Sequence, residues 1–320
     1  MIAVIGGGSW ATAIVKILLE NEQCTVNWWV RTVDVRDGLA STGRNPRHLT
    51  TLQLDPSRLT VSNDLAEVVA SSDTLLLAVP SVYISDLLLQ LPADAYRNKR
   101  IISAVKGYIP DVELSVTQFL QKKLHIASDC LGVVSGPSHA EEVAEQRPTF
   151  LTVASSSRPL ADEIAAILRC SYIHTAVSNE VDTIELCGLT KNVYAVAAGI
   201  AAGVGYGDNL IAVLTTAAAH ELQGIIPESP LAFRLLSDLI VTCFSRHSRN
   251  RALGEAVARG MSPNEYFHTS GMVAEGYYSA RIVHHLTTEL PTPIAEAVYR
   301  VLYLGTEPKK EIDSLIDNIL

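Results

Sequence analysis

The chain has 320 residues, of which 48% are hydrophobic, and it carries a formal net charge of −9 with an isoelectric point near 5.5. This length and composition allow two domains with buried cores. The acidic balance argues against nucleic acid or an anionic membrane surface as the main partner, so any anionic ligand would need a local basic pocket.

The five cysteines are widely separated and form no CxxC pair, so the sequence predicts neither a disulfide framework nor a zinc site. No basic segment precedes the first apolar strand, and no apolar run reaches the roughly 18 residues that span a bilayer. We therefore expect a soluble, cytoplasmic protein with no membrane span and no metal.

The N-terminus has the pattern of a dinucleotide-binding turn. An apolar strand at 2–5 is followed by GGGSWA at 6–11 and then by a helical pattern. Gly6 and Gly8 occupy the first two glycine positions of GxGxxG, and Ala11 occupies the third. Residues without side chains let a pyrophosphate approach the backbone N–H groups at the helix start. Glycine turns also join strands to helices for steric reasons alone, but the position at the start of an α/β pattern favours a dinucleotide.

A second strand is predicted at 24–30, and Arg31 follows it. NAD-binding folds usually carry an acidic residue here, which binds the ribose hydroxyls. A guanidinium could instead hold a 2′-phosphate or stack on adenine, whereas an ordinary surface arginine is an equally supported alternative. The choice between NAD and NADP therefore stays open.

Strands and helices alternate through the rest of the first half of the chain. Further strands are predicted at 59–62, 74–79, 100–105, 131–135, 149–154 and 172–177. Helices are predicted at 64–70, 83–91 and 160–168. The alternation predicts a Rossmann-type α/β domain with a mostly parallel sheet covered on both faces. Ligands bind beyond the carboxyl ends of such strands, so we expect the turns that contain Arg31, Lys106 and Gly136 to gather at one edge.

From residue 182 onward the strand signals stop and long helical stretches rich in Ala, Leu and Val follow. We predict two domains, a dinucleotide-binding domain at 1–181 and an all-α, substrate-binding and catalytic domain at 182–320. Connections between helices are expected at 203–208, 223–230, 260–264 and 289–293. The apolar faces of the helical domain could support a homodimer.

Two groups of cations stand out in the helical half. Lys191 lies within the small, apolar run 185–200, either on an exposed stripe or on a helix that lines a cleft, where it would exchange protons with a substrate. The segment 246–251 contains three arginines, a serine and an asparagine. It forms either a phosphate clamp or a solvated basic loop.

Motifs along nearly the whole chain resemble one family, the bacterial-type NAD(P)-dependent sn-glycerol-3-phosphate dehydrogenases. They are GGGSWATA at 6–13, WWVR at 28–31, AVPS at 78–81, SAVKG at 103–107, SGPSHAEEVA at 135–144, ELCGLTKNVYAVAAGIAAG at 185–203, GDN at 207–209, SDLIVTC at 237–243, SRNRALG at 248–254, VAEG at 273–276 and PTPIAEAVYRVLY at 291–303.

This resemblance implies an oxidoreductase that interconverts dihydroxyacetone phosphate and sn-glycerol 3-phosphate with NAD or NADP and supplies glycerol 3-phosphate for phospholipid synthesis. The partner would be a small phosphorylated three-carbon substrate. The alternatives are a related two-domain hydroxy-acid or ketopantoate-type dehydrogenase and a non-catalytic nucleotide-sensing relative. The arginine-rich segment favours the first interpretation over other dehydrogenases, because a carboxylate substrate would not need three nearby arginines.

The resemblance also implies roles for the matching residues. Lys191 would be the proton donor and acceptor, with Lys106, Asn192 and Asp238 completing the catalytic group. The implied substrate-binding residues are Lys106, Gly136, Ser138, Lys191, Asp238, Ser248, Arg249 and Asn250. The implied cofactor-binding residues are Gly6, Gly8, Ser9, Trp10, Arg31, Lys106, Ala140, Arg249, Val273 and Glu275. The two lysines would flank the carbonyl oxygen from different domains.

Three segments depart from the family pattern, and each puts helix packing, substrate affinity and turnover in question. They are 187–190, where the family usually reads GGAL, 215–220, where it tends to carry an arginine and a glycine, and 233–237, where it has a glycine-rich approach to the aspartate.

Overall fold

The computed structural model describes residues 1–226 and 232–319. The chain divides into two compact units. The sheet unit consists of Met1–Val105 and Leu114–Val181, and the helical unit consists of Lys106–Glu113 and Asp182–Leu320. The predicted ranges 1–181 and 182–320 differ from these units in one segment, because Lys106–Glu113 groups with the helices. Within the predicted connection 223–230, the residues from 227 on lie outside the described part.

Within the described residues, the sheet unit contains one eight-stranded sheet in the order β3-β2-β1-β4-β5-β6-β7-β8. Its strands are Ile2–Ile5 (β1), Val26–Trp29 (β2), Leu59–Ser62 (β3), Thr74–Leu77 (β4), Arg100–Ser103 (β5), Leu131–Ser135 (β6), Thr149–Ala154 (β7) and Ile173–Ser178 (β8). The inner strands β1, β2, β4 and β6 are buried throughout or nearly so, as expected when helices cover both faces of a parallel sheet.

Every neighbouring pair of strands is parallel except one, so the predicted mostly parallel Rossmann-type sheet is confirmed. Strand β7 runs antiparallel to β6, with Val133 opposite Ala154 and Ser135 opposite Thr152. Strands β7 and β8 are parallel to each other. The carboxyl ends of β1 to β6 therefore lie at one edge of the sheet, and those of β7 and β8 lie at the other.

The helices of the sheet unit are Ser9–Leu19 (α1), Val33–Thr42 (α2), Leu65–Ala70 (α3), Ile84–Leu88 (α4), Val116–Leu124 (α5), Ala140–Ala144 (α6) and Arg158–Leu168 (α7). The sequence analysis did not predict α2, α5 or α6. Helix α2 buries only Val35 and Leu39, so it lacks a strong apolar stripe. Helix α5 begins with a capping box formed by Ser115 and Gln118, and this Ser-x-x-Gln pattern is its start signal in the sequence.

The described residues of the helical unit contain only helices as regular elements. They are Val181–Gly203 (α8), which begins one residue inside the sheet unit, Asp208–Ile225 (α9), Ala232–Phe244 (α10), Arg249–Ala258 (α11), Pro263–Ser270 (α12), Glu275–Leu286 (α13), Pro293–Tyr303 (α14) and Pro308–Ile319 (α15). In the described residues, none of the helices is long and apolar enough to cross a membrane.

Helix α8 is buried around nearly its whole circumference, which explains why its sequence has no polar stripe. Its C-terminal half packs tightly on α11 at positions without side chains. A Cβ atom at Gly199 would collide with the carbonyl oxygen of Arg251, and one at Gly254 would collide with the carbonyl oxygen of Val196. The backbones of α8 and α11 are therefore in direct contact, and their separation leaves no room for a methyl group.

Glu221 on α9 is a buried carboxylate that binds the start of α14. It accepts hydrogen bonds from the backbone N–H groups of Ile294 (2.6 Å) and Ala295 (3.4 Å). Burial raises the pKa of the Glu221 carboxyl to about 7, although the two backbone donors act in the opposite direction. This contact ties two helices of the unit together through a group that titrates near neutral pH.

We predict that Glu221→Gln stabilises the protein at high pH. A carboxyl whose pKa rises on folding stabilises the folded state fully at pH values below the pKa of the unfolded state, near 4.5. This stabilisation is lost as the pH rises through the pKa of the folded state, about 7. The amide retains an acceptor for Ile294 but carries no charge. We expect its free energy of unfolding to exceed that of the wild type by roughly 1–3 kcal/mol at pH 8, with no gain at pH 5.

Urea unfolding followed by circular dichroism at the two pH values measures this difference. Glu289→Gln, at an exposed position of the same unit, serves as the control and should follow the wild type. If the free energies of unfolding of the wild type and Glu221→Gln differed by the same amount at both pH values, the raised pKa of Glu221 would be contradicted.

Candidate functional site

The glycine turn lies where β1 ends, between the ends of β2 and β4. Gly6 has a φ of +138°, and a Cβ atom there would lie 2.5 Å from the carbonyl oxygen of Ala78, so only glycine fits. Its carbonyl accepts the Trp28 indole N–H at 2.6 Å. Gly8 is the N-cap of α1, and a Cβ atom there would meet no atom within 4 Å. The start of α1 therefore has room for a phosphate, and its backbone N–H groups favour negative charge, so these residues fit a dinucleotide.

Two side chains that sequence reasoning missed support this turn. Asn45 is buried and donates hydrogen bonds to the carbonyl of Gly7 (3.0 Å) and to the hydroxyl of Thr12 (2.9 Å). The Ser9 hydroxyl lies 3.3 Å from Nδ1 of His48. The one sequence signal for this loop was the proline that follows Asn45, which marks a turn but not the direction of its side chains.

Trp10 and Arg31, both predicted at the cofactor, lie close to the turn. The Trp10 indole donates a hydrogen bond to the carbonyl of Ala104 at 3.2 Å, which fixes it beside the end of β5. Arg31 is exposed, and its guanidinium carbon lies 5.9 Å from the centroid of the Tyr83 ring. This cation–π contact orients an arginine that can still reach a ligand, and the sequence analysis did not predict Tyr83 as its partner.

The third predicted group in the sheet unit follows β6. Gly136 has a φ of +136°, and a Cβ atom there would collide with the carbonyl oxygen of Phe150. The Ser138 hydroxyl donates to the carbonyl of Gly136 at 2.9 Å, and Ala140 begins the short helix α6. Because β6 is parallel to β5, this turn lies at the same edge of the sheet as the glycine turn.

In the helical unit, Lys191 forms a buried ion pair with Asp238 of α10. Their exposed fractions are 3% and 5%, and the ammonium donates a hydrogen bond to the carboxylate. The alternative that Lys191 lies on an exposed stripe of its helix is therefore excluded. Asp238 is the partner that a buried ammonium requires.

Lys106 lies in the same unit, which corrects the expectation that the two lysines come from different domains. Its carbonyl accepts a hydrogen bond from the Asn192 amide at 2.6 Å. The charged groups of Lys191, Asp238 and Arg249 lie within electrostatic range of its side chain. Burial lowers the pKa of Lys106 to about 7, with further lowering by Lys191 and Arg249 and an opposing effect of Asp238. A lysine with this environment can gain and lose a proton near neutral pH.

Asn192 and Asn250 form a relay of amide hydrogen bonds between three helices. The Asn192 amide nitrogen also donates to the carbonyl of Gly188 (2.8 Å), and its oxygen accepts from Asn250 (2.8 Å). The Asn250 oxygen in turn accepts from the backbone N–H of Gly276 (2.8 Å). Both amides thus fix the backbone around Lys106 and the start of α13, where the predicted cofactor residues Val273 and Glu275 lie half-buried.

The arginine-rich segment corresponds to the start of α11, and its arginines differ in role. The Ser248 hydroxyl caps the helix by accepting from the N–H of Arg251 at 3.2 Å. The Arg251 side chain binds Glu255 and two backbone carbonyls at the end of α10. Arg251 therefore connects α11 to the end of α10, whereas Arg246 and Arg249 are exposed. Arg249 lies close enough to act on Lys106, and a phosphate clamp in this segment stays a prediction.

Comparison with known proteins identifies both halves of the chain. A family model for the N-terminus of NAD-dependent glycerol-3-phosphate dehydrogenase matches residues 1–161, and the model for its C-terminus matches residues 180–313. The chain belongs to this family. It is 35% identical over 324 residues to glycerol-3-phosphate dehydrogenase (NAD(P)+) 1 of Salinibacter ruber, covering 98% of this chain and 94% of that one.

Two further relatives support the same family membership. The glycerol-3-phosphate dehydrogenase (NAD(P)+) of Chlorobium limicola is 32% identical, with 97% of this chain and 99% of that chain covered. The crystal structure of the Coxiella burnetii glycerol-3-phosphate dehydrogenase superposes with a TM-score of 0.91 at 27% identity, covering 99% of this chain and 98% of that one. The family resemblance found in the motifs is thus confirmed over the full length.

The three segments that depart from the glycerol-3-phosphate dehydrogenase family pattern lie within the helices α8, α9 and α10. Cys187 and Thr190 are buried in an unbroken α8, and the Thr190 hydroxyl donates to the carbonyl of Leu186 at 2.9 Å. Thr215 on α9 donates in the same way to the carbonyl of Ile211 at 2.7 Å. In the third departure, 233–237, the side chains of residues 233 and 234 lie outside the described part.

We predict that Asp238→Asn destabilises the protein, because it leaves the ammonium of Lys191 buried without a counterion. The expected loss in the free energy of unfolding is about 3–5 kcal/mol. The matched control is the double variant Lys191→Met with Asp238→Leu, which removes both charges and should recover most of that loss. Urea unfolding of the three proteins measures it, and equal losses in the single and double variants would contradict a charge-based cause.

Proposed function

We propose that this protein is an NAD(P)-dependent glycerol-3-phosphate dehydrogenase that interconverts dihydroxyacetone phosphate and sn-glycerol 3-phosphate. The observation that carries the proposal is the cluster of Lys106, the buried Lys191–Asp238 pair and the exposed Arg249 within one unit. Such a cluster suits a substrate with a ketone at one position and a phosphate at another.

In this proposal residues 1–181 bind the dinucleotide. Bound NAD or NADP supplies the hydride chemistry. The start of α1 beyond Gly6 and Gly8 receives the pyrophosphate, and Arg31 is available for the adenosine part. The remaining proposed cofactor-binding residues are Ser9, Trp10, Lys106, Ala140, Arg249, Val273 and Glu275.

Residues 182–320, together with Lys106, hold the substrate. Arg249 and the start of α11 bind the phosphate, where the helix dipole and the guanidinium both favour negative charge. Binding the non-reacting end in this way fixes the position of the ketone. The remaining proposed substrate-binding residues are Gly136, Ser138, Ser248 and Asn250.

Reduction of the ketone builds negative charge on its oxygen, and two ammonium groups stabilise that charge. The Lys191 ammonium is held by Asp238, and the Lys106 backbone carbonyl is held by the amide of Asn192. One of the two lysines must also deliver the proton, a role that the family resemblance assigns to Lys191.

The biological role proposed here is the supply of glycerol 3-phosphate for phospholipid synthesis in the cytoplasm. The family membership and the net charge of −9 support it, since the acidic surface disfavours attachment to anionic lipid. A homodimer through apolar positions of the helical unit is also proposed. Leu286, Leu290 and Leu304 are large apolar side chains exposed there.

The direct test is to mix purified protein with dihydroxyacetone phosphate and NADH or NADPH and to follow the absorbance of the reduced nicotinamide. Oxidation with either cofactor supports the proposal, and the ratio of the two rates gives the cofactor preference. Turnover of a hydroxy acid or ketopantoate alone would favour the related dehydrogenases. Nucleotide binding without turnover of any of these substrates would favour a sensor.

We predict that Lys191→Ala lowers kcat by about 10²- to 10⁴-fold, because it removes a cation beside the developing negative charge. Nucleotide affinity, measured by fluorescence titration, should change little. Lys310→Ala, at an exposed position of the same unit, is the control and should keep normal turnover. Turnover of a folded Lys191→Ala protein within a few-fold of the wild type would refute the role.

We predict that Arg249→Ala mainly raises KM for the phosphorylated substrate, by roughly 10- to 100-fold, as expected for loss of a charge-assisted hydrogen bond to a phosphate. Arg246→Ala is a matched control, because it removes an exposed arginine from the same segment. Initial rates over a range of dihydroxyacetone phosphate concentrations give both constants. An unchanged KM in Arg249→Ala would remove this residue from the phosphate site.

A further inference from the structure

We propose that the side chains of Trp28, Asn45 and Thr12 are positioning residues for the dinucleotide. Each of them binds a carbonyl oxygen of the glycine turn, and together they keep these oxygens from facing the pyrophosphate. The inference rests on the proposed function, because it concerns the site at which NAD or NADP would bind. It adds to that site three side chains that act through the backbone of the turn.

The three carbonyl oxygens of the turn 6–8 all accept hydrogen bonds from side chains of the sheet unit. The pairs are Trp28 with Gly6 (2.6 Å), Asn45 with Gly7 (3.0 Å) and Thr12 with Gly8 (3.0 Å). The donors come from β2, from the loop after α2 and from α1, and each is at most 1% exposed. Because water does not reach these side chains, a carbonyl that lost its donor would stay unpaired or would have to turn away.

Asn45 connects the turn to the loop that follows α2. Its amide nitrogen also donates to the Thr12 hydroxyl at 2.9 Å. Its oxygen accepts from the backbone N–H groups of Arg47 (3.0 Å) and His48 (3.1 Å). Both polar atoms of the amide are therefore bound, so its orientation is fixed from two sides. Because the Thr12 hydroxyl is held by Asn45 and itself holds the turn, two of the three contacts form one chain.

The sequence of the turn explains why it needs such contacts. Three consecutive glycines occupy positions 6–8, and glycine adopts positive and negative φ values at similar cost. A peptide group between two glycines can therefore turn over and present its carbonyl oxygen, in place of an N–H, to a ligand. A phosphate is attracted by backbone N–H groups and repelled by carbonyl oxygens. Side chains that hold the carbonyls thus select the arrangement that binds an anion.

Holding a carbonyl also fixes the next N–H group. In a trans peptide the C=O and the following N–H point in opposite directions, and all peptide bonds in the described part of the chain are trans. The bound carbonyls of Gly7 and Gly8 therefore direct the N–H groups of Gly8 and Ser9 away from their side-chain partners. The space beside Gly8 is open, since a Cβ atom there would meet no atom within 4 Å. The N–H of Gly6 instead donates to the carbonyl of Trp29 at 3.0 Å.

The contacts should act on cofactor affinity and leave the chemical step unchanged. A ligand that binds one arrangement of a segment has an apparent Kd equal to its intrinsic Kd divided by the fraction of molecules in that arrangement. A turn that is correctly arranged in about one molecule in ten would thus bind the dinucleotide about 10-fold more weakly. Once the cofactor is bound, the turn is the same in both proteins.

The first test compares two adjacent tryptophans in the intact protein. Trp28→Phe removes the indole N–H that holds the Gly6 carbonyl but keeps a buried ring. Trp29→Phe is the matched control, because its indole N–H donates to the carbonyl of Asn63 at 3.2 Å, outside the turn. By calorimetric titration we expect the Kd for NADH to rise roughly 10-fold in Trp28→Phe and less than about 2-fold in Trp29→Phe. Equal changes in the two variants would overturn the proposal.

Asn45→Ala is a second, independent variant. It releases the Gly7 carbonyl and the Thr12 hydroxyl together, so the Kd for NADH should rise by about 10-fold or more. At saturating NADH, we expect kcat and the KM for dihydroxyacetone phosphate to stay within about 2-fold of the wild type in both Asn45→Ala and Trp28→Phe. A fall in kcat as large as the loss of NADH affinity would indicate general damage and would overturn the proposal.

ADP and adenosine separate an effect on phosphate binding from a general effect on the nucleotide site. Their affinities can be measured by competition with NADH. The gain in affinity from adenosine to ADP should shrink by about 10-fold in Trp28→Phe and in Asn45→Ala, while adenosine binds as in the wild type. An equal loss of affinity for both ligands would overturn the proposal.

The orientation of the N–H groups can be tested in the wild type alone. Addition of ADP to the ¹⁵N-labelled protein should shift the amide resonances of Gly8 and Ser9, whose N–H groups face the open space. The amide of Gly6 should shift less, because it already donates to Trp29. A shift at Gly6 that equals or exceeds those of Gly8 and Ser9 would overturn the proposed orientation.

The outcomes separate this inference from the proposed function. A wild type that binds neither NADH nor NADPH would overturn both. A wild type that oxidises either cofactor with dihydroxyacetone phosphate, together with Trp28→Phe and Asn45→Ala proteins that bind NADH as tightly as the wild type, would overturn only the role of the three side chains.

Discussion

The arrangement of the helical unit depends on one buried ion pair, Lys191 with Asp238. Two charges removed from water are stable only if they are paired closely, so α8 and α10 must be in register for this contact to form. A pair of apolar residues would stabilise the same crossing equally well or better, so packing alone does not explain the charges. What the pair provides is an ammonium held at a fixed, buried position, where charges interact more strongly than they do in water.

The same charge determines the properties of Lys106. A lysine on a solvated surface is protonated at every physiological pH, whereas a lysine beside two other cations and partly removed from water is not. The carboxylate of Asp238 limits this effect by compensating part of the positive field. Lys106, Lys191, Asp238 and Arg249 therefore form one electrostatic system, in which a change to any member alters the protonation of Lys106.

Much of the fold could be predicted because its signals are local. The strand, glycine turn and helix at the N-terminus, the alternation of elements and the change to helices after residue 181 are all visible in short windows. The reversed direction of β7 could not be predicted, because a short apolar strand has the same sequence pattern in either direction. Helix α2 was missed because it buries too few residues to show a period.

The candidate site shows a similar limit. Lys191, Asp238, Arg249 and the glycine turn followed from motifs, but the motifs did not reveal which side chains touch. In the relay, Asn250 and Asn192 are 58 positions apart in the sequence, and Asn192 and Lys106 are 86 positions apart. The Arg251 side chain likewise donates hydrogen bonds to backbone carbonyls at the end of another helix, α10. Such contacts are set by tertiary packing and leave no periodic trace in the sequence.

The side-chain-free crossing of α8 and α11 has a consequence for how this unit tolerates substitution. The two helices touch backbone to backbone at Gly199 and Gly254, where a Cβ atom would collide with a carbonyl oxygen of the other helix. An added methyl group at either glycine must therefore push the two helix backbones apart, because a backbone carbonyl cannot rotate away as a side chain can. Lys191 and Asn192 lie on α8 and Asn250 lies on α11, so such a displacement would also strain the hydrogen bond between the two asparagines. A single carbon atom far from the polar groups would thus disturb their arrangement.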